Sequence, residues 1–128
     1  MKTEEIKDLF KKFEGIVCEY NDVECWSARE LHILLGYTQW RNFLPVIEKA
    51  KKVCQNAGED IAYHFADVRK MVLVGSDAER QVDDILSTRY ACYLTAQNRD
   101  ARKPEIAFAQ NYFAVQTRRA ELKVESAD

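Results

Sequence analysis

Apolar residues recur along this chain at two periods, and each change of period marks a new element. Ile6, Leu9, Phe10 and Phe13 fall at helical spacing, which predicts a short amphipathic helix over residues 3–13. In "GIVCEYNDVECWS" the period drops to two. Asn21-Asp22 suits a two-residue hairpin turn. Pairing across it sets Tyr20 opposite Val23, Glu19 opposite Glu24 and Cys18 opposite Cys25. One face of this hairpin (Ile16, Cys18, Tyr20, Val23, Cys25) is expected to be buried, and the face with Glu19 and Glu24 wet.

The helical period returns after Ser27. Ser27 and Glu30 form a capping box. Ala28, Leu31, Leu34 and Leu35 make the buried stripe, and Gly36 can close the helix in the left-handed conformation. Thr38 is expected to cap a second helix, whose stripe is Trp40, Phe43, Leu44, Ile47, Ala50 and Cys54. Pro45 in its second turn should kink it or tighten its start, and "NAGED" ends it near residue 57. Residues 60–66 suggest a helical turn. "VRKMVLVGSDAERQVDDILS" reads as a second hairpin, turning within residues 75–78. Ser87 is expected to cap "STRYACYLTAQN", which is apolar on nearly all sides and hence central. "RDARK" is a loop, Pro104 suits the first position of a helix, and that helix is expected to run to about residue 123. The fold class that follows is α+β: two β-hairpins, each followed by a capped core helix, with a long C-terminal helix.

Twice a hairpin ends in Ser-x-Arg, at residues 27–29 and 87–89. An arginine in the first turn sits at the wrong end of the helix dipole. It therefore calls for compensation, by an acidic neighbour such as Glu30, Asp83 or Asp84, or by a bound phosphate.

Composition changes this picture little. The chain has 128 residues, 47% hydrophobic and 31% charged, with only 4 Gly and 2 Pro, which fits a single globular domain. No apolar run approaches the roughly 20 residues needed to span a bilayer, and the N-terminus lacks a signal-peptide core. A cytoplasmic protein without a membrane partner is expected. The four cysteines, Cys18, Cys25, Cys54 and Cys92, form no C-x-x-C pair, and His32 and His64 are not at ligand spacing from them. No metal or cofactor is expected. Cys18 and Cys25 are two packed thiols, or a disulfide across the hairpin.

Charge matters more. The formal net charge is −2, whereas strong sequence-independent DNA binders carry a large positive surplus. The distribution is uneven: residues 1–30 hold five basic and eight acidic side chains, and residues 87–119 hold six basic and two acidic. A basic surface is compatible with the acidic total.

No catalytic constellation emerges. Asp83 and Asp84 are adjacent and so point to opposite faces of a strand. Neither histidine has a recognisable partner, and His32, off the leucine stripe, is expected to be solvated. Glycine-rich phosphate loops and hydrolase motifs are absent. A non-enzymatic protein is expected.

The better candidate is "TQWRN", residues 38–42. With Trp40 and Phe43 turned inward, Gln39, Arg41 and Asn42 face outward. Their forked donors and acceptors match base edges in the major groove, and they open the second of two helices. Ordinary solvated positions on an amphipathic helix account for them equally well. Arg29 and Arg89, in the first turns, and the loop cations Arg99, Arg102 and Lys103 complete the candidate nucleic-acid-binding set. On the last helix, Ile106, Ala109, Phe113 and Ala120 make one apolar stripe, and Phe108, Tyr112, Val115 and Leu122 a second. The second is either a wide core face or a surface for another copy, a partner or further C-terminal sequence.

"CWSARELHILLGYTQWRNFLPVIEKAKKVC" resembles the BRO N-terminal domain of phage and viral antirepressor-type proteins. "LSTRYACYLTAQNRDARKPEIAFAQNYFAVQTRRAEL" resembles the bacterial DNA-damage-inducible protein D family, with similarity over about residues 12–122. The resemblance implies a BRO-N-like DNA-binding domain over residues 1–128, belonging to a longer family member, and a place in the SOS response. No catalytic residue carries over. Two functions are therefore expected. The first is a DNA-binding regulatory module, on single-stranded or duplex DNA. The second is a protein-interaction module that modulates a recombinase filament on single-stranded DNA. A homodimer is a further partner to consider.

Overall fold

A computed structural model of the chain describes residues 3–75, 77–97 and 99–114. The order is α1 (Thr3–Gly15), β1 (Val17–Tyr20), β2 (Val23–Ser27), α2 (Ala28–Leu34), α3 (Trp40–Asn56), α4 (Ile61–His64), β3 (Phe65–Val74), β4 (Ala78–Thr88) and α5 (Arg89–Gln97). A further helix, α6, runs over residues 104–114. The architecture is α+β, with a four-stranded antiparallel sheet in the order β1-β2-β4-β3.

The first hairpin has the register that its sequence predicts, Cys18 on Cys25, Glu19 on Glu24 and Tyr20 on Val23. Asn21 and Asp22 both take positive φ, 52° and 64°, as a type I′ turn requires. The expected burial of its faces is corrected. Cys18 and Tyr20 are exposed, and Glu24 is half-buried. The cause is position: β1 is an edge strand, and Glu24 is drawn in by an ion pair with Arg89.

The two hairpins join side by side through β2 and β4, and the core lies between this sheet and the helices. Trp26, at 0% exposure, meets Phe113 at 5.2 Å and Tyr112 at 6.4 Å between ring centres. Its indole N–H donates to the Phe13 carbonyl at 3.1 Å, which ties β2 to α1. α5 is central, with Ala91, Cys92, Leu94, Thr95 and Ala96 buried.

Helix caps are partly as expected. Ser27 caps α2, accepting from the Glu30 N–H. The cap of α5 is Thr88 rather than Ser87: Thr88 Oγ1 accepts from the Ala91 N–H at 3.2 Å. Ser87 is held in the sheet between Trp26 and Phe65, so the strand continues one residue further than expected. Thr38 does not cap α3. The N-cap is Gln39, without a side-chain hydrogen bond. Gly36 has φ 89°, and the Gly36 and Tyr37 N–H groups bond to Ile33 and His32 carbonyls at 3.0 and 2.9 Å, a Schellman closure of α2.

The second stripe of the last helix is not spare. Tyr112 is buried, and Phe108 and Tyr112 pack against Phe13 at 5.2 and 5.6 Å. Phe10 of α1 closes over Tyr112 at 5.8 Å. These two residues therefore serve the core rather than an outward interface. Val115, Leu122 and the expected end of this helix near residue 123 lie outside the described residues.

Candidate nucleic-acid interface

Four rings fix the start of α3. Phe43 is fully buried, and Tyr37 lies on it at 5.0 Å. His32 meets Trp40 at 5.4 Å and Phe43 at 5.9 Å. The expectation of a solvated His32 is thereby corrected. It is 7% exposed, and Nδ1 pairs with the Arg29 carbonyl. α2 is only seven residues long, and the aromatic cluster covers its last turn. The stripe of α3 also shifts: Val46 is buried, and Leu44 reaches solvent at the helix flank.

With Trp40 half-buried and Phe43 inside, Gln39, Arg41 and Asn42 are exposed. Among the described residues their side chains make no hydrogen bond or ion pair. Gln39 is not part of the helical face. Its extended backbone, φ −132° and ψ 128°, puts it just ahead of the first turn.

Two further cations join this surface. Lys49 and Lys52 are exposed on α3 and, among the described residues, have no ion-pair partner. At 100° per residue, Arg41, Pro45, Lys49 and Lys52 fall on the side opposite Phe43, Ala50 and Cys54. Leu44 and Pro45 floor a shallow depression here of about 480 Å³, rimmed by Arg41, Lys49 and Lys52 together with Glu48. Glu48 pairs with Lys51 at 3.5 Å. Sequence reasoning stopped at Asn42 and missed both lysines. The three- and four-residue spacing from Arg41 through Pro45 and Lys49 to Lys52 was the available signal.

The remaining candidates divide. The loop after α5 lies against the α2–α3 turn. The Arg99 guanidinium sits 5.5 Å from the Tyr37 ring centre, and a Cβ on Gly36 would come within 2.9 Å of Glu105 Oε1. Burial raises the Tyr37 hydroxyl above its usual pKa, and the Arg99 charge partly offsets this. Arg102 and Lys103 are exposed on that loop. Arg102 grips Asp100 through both carboxylate oxygens, at 3.0 and 3.2 Å from Nε, which holds the Asp100 carboxyl below its usual pKa.

Arg29 and Arg89 instead serve the fold. Arg29 Nε donates to the Asp83 carbonyl at 2.5 Å, and its guanidinium lies 4.5 Å from the Trp40 ring centre. It lines a groove of about 530 Å³ with Trp40, Lys51, Arg69 and Asp83. Arg89 pairs with Glu24, and its guanidinium sits 5.6 Å from the Trp26 ring centre. The compensation for each first-turn arginine is thus protein-borne: a backbone carbonyl and an indole for Arg29, a carboxylate and an indole for Arg89. Glu30 is committed to Lys70 at 2.9 Å.

Among the described residues no group of three or more His, Cys, Asp or Glu side chains is placed to hold a metal ion. None of their helices is long and apolar enough to cross a membrane.

No protein-family model and no solved structure matches the chain. Over 107 residues, 84% of its length, the chain is 51% identical to DNA damage-inducible protein D of Escherichia coli (strain K12), and it spans 39% of that protein's length. This likeness supports a place for the chain among the DNA damage-inducible protein D-like proteins.

Proposed function

We propose that this chain is a non-catalytic, BRO-N-like DNA-binding module of the bacterial DNA-damage (SOS) response, acting in the cytoplasm. The observation that carries the reading is the outer face of α3. Arg41, Asn42, Lys49 and Lys52 stand exposed without partners among the described residues, on a helix whose opposite side is locked into the core. From Arg41 to Lys52 the face extends about 16 Å, at 1.5 Å per residue. At 3.4 Å per nucleotide that is roughly five phosphates of one strand. Arg41 and Asn42 have base-reading chemistry, the lysines phosphate-neutralising chemistry. The likeness to a protein named for DNA damage induction supports the physiological setting.

Fluorescence anisotropy with labelled single-stranded and duplex oligonucleotides tests this directly. Affinity should fall steeply between 50 and 200 mM salt, Lys52→Ala should lower the log–log salt slope by about one, and Arg41→Ala should weaken binding and relax sequence preference. Absence of binding at about 50 mM salt overturns the reading. The net charge of −2, with Asp67, Asp77, Glu79 and Asp83 all exposed on the second hairpin, favours one second reading, a module that docks on a recombinase filament. In that case the chain binds recombinase-coated single strands and leaves naked DNA alone.

A further inference from the structure

Beside the outer face of α3 lies the groove of about 530 Å³ that Arg29 and Trp40 line, a volume typical of ligand clefts. Leu44 and Glu48 line it too, and they also line the depression rimmed by Arg41, Lys49 and Lys52. One turn apart on α3, these two residues form the ridge between groove and depression. The groove differs in charge from its neighbour. Three cations face it, Arg29, Lys51 and Arg69, against four carboxylates. Arg69 pairs with Asp83 at 3.3 Å and Lys51 with Glu48 at 3.5 Å. A phosphate finds no spare positive charge here, whereas a flat uncharged heterocycle needs none.

The lining suits such a ring. The Arg29 guanidinium lies 4.5 Å from the Trp40 ring centre, and its bond to the Asp83 carbonyl keeps it there. Both residues line the groove, which therefore holds a fixed planar platform. Nucleobases stack on indole rings and on guanidinium planes alike. Asp67, exposed on β3, also lines the groove and makes no hydrogen bond or ion pair among the described residues. An ionised carboxylate only accepts. It matches the exocyclic amino group of cytosine, adenine or guanine, a donor that thymine lacks.

We infer, building on the DNA-binding reading of α3, that this groove takes one unpaired base of a single strand whose phosphates follow Arg41, Lys49 and Lys52. The sugar–phosphate chain runs on one side of the Leu44–Glu48 ridge. The base crosses the ridge and stacks on the Arg29–Trp40 platform, with its amino group donating to Asp67. Single strands are preferred because a duplex must first unstack and unpair that base.

Titration with short oligo(dC), oligo(dT) and a dC·dG duplex at about 50 mM salt, read by tryptophan fluorescence and by anisotropy, tests this. Trp26 is fully buried, so Trp40 is the indole that a base can reach. Oligo(dC) should quench the emission and the duplex should not, and Trp40→Phe should abolish the quenching. Oligo(dC) should bind about tenfold tighter than oligo(dT), the worth of one hydrogen bond to a carboxylate. Asp67→Ala, at an exposed position that leaves the fold intact, should erase that ratio by weakening oligo(dC). A carboxylate that merely repels phosphates would give the reverse, tighter binding of both single strands on its removal. That result, binding without quenching, or equal affinity for the two single strands overturns the inference and leaves the DNA-binding reading of α3 standing. Absence of binding to all three nucleic acids overturns both.

Discussion

The Ser27 hydroxyl donates to Asp84 Oδ2 at 2.5 Å, so a strand of the second hairpin fixes the helix that follows the first. Oδ1 of the same carboxylate accepts from the Arg29 N–H at 3.1 Å and from the Ile85 N–H at 2.7 Å. Asp84 is 2% exposed, and its negative charge sits where the α2 dipole is positive. Asp84→Ala leaves these donors without an acceptor and should cost about 3 kcal/mol, whereas Asp84→Asn, which keeps one acceptor oxygen, should cost less than half of that. Urea unfolding reads both, as a lower midpoint at unchanged slope.

Gly36 is required by its backbone more than by the space around it. Its φ of 89° disfavours any side chain. The atom nearest to a new Cβ, Glu105 Oε1, is the end of a flexible side chain that can swing away. Gly36→Ala should destabilise by about 1–2 kcal/mol. Adding Glu105→Ala should restore less than half of the loss. Full restoration would mean that the steric contact dominates.

Arg29 and Arg41 are both arginines beside Trp40, and their variants should separate cleanly. Arg41 is exposed and, among the described residues, unpartnered. Arg41→Ala should change stability by less than about 0.5 kcal/mol while weakening DNA binding. Arg29→Ala removes the bond to Asp83 and the indole contact, and should cost about 1–2 kcal/mol. Thermal melts and anisotropy on the two proteins give the comparison.

Alkaline pH should destabilise the fold. Burial, reinforced by the neighbouring Cys18 thiol, pushes the Cys25 thiol up to about 12 from a usual 9.0. Burial also raises Cys92 and Tyr112. Each group binds its proton more tightly folded than unfolded. Its stabilising contribution is complete below its unfolded pKa and is lost as pH rises through the folded value. For Cys25 that window is about pH 9 to 12, with a slope of about 1.4 kcal/mol per pH unit. Melting temperatures at pH 8 and pH 10.5 should differ, and Cys25→Ala should narrow the gap.

The thiols should also label in order. Cys18 is exposed, whereas Cys25, Cys54 and Cys92 are buried. A maleimide at pH 7.5 should modify Cys18 first, with the other three following only on unfolding. The Cys18 and Cys25 sulfurs lie 3.3 Å apart, so mild oxidation before labelling should remove the Cys18 signal.

Local pattern was enough for the elements, because each is set by neighbours in sequence. The turn at Asn21-Asp22, the cap at Ser27, the break at Gly36 and both hairpins rest on spacing and on residue-specific backbone preference. The inward Phe43 and the outward Arg41 and Asn42 follow from helical period alone, whereas Gln39 lies ahead of the helix on extended backbone. What long-range packing decided was which polar groups are spent. Nothing in the sequence near His32 says that two rings of the next helix will bury it. Nothing near Arg89 names Glu24, 65 positions earlier, as its partner. Phe108 and Tyr112 look spare along their own helix and are covered by Phe13 of α1, which the Trp26 indole holds through its carbonyl. Period fixes the direction of a side chain from its own element. Whether that direction ends in water, in another element or at a free edge such as β3 depends on how distant segments stack, and only the tertiary structure decides it.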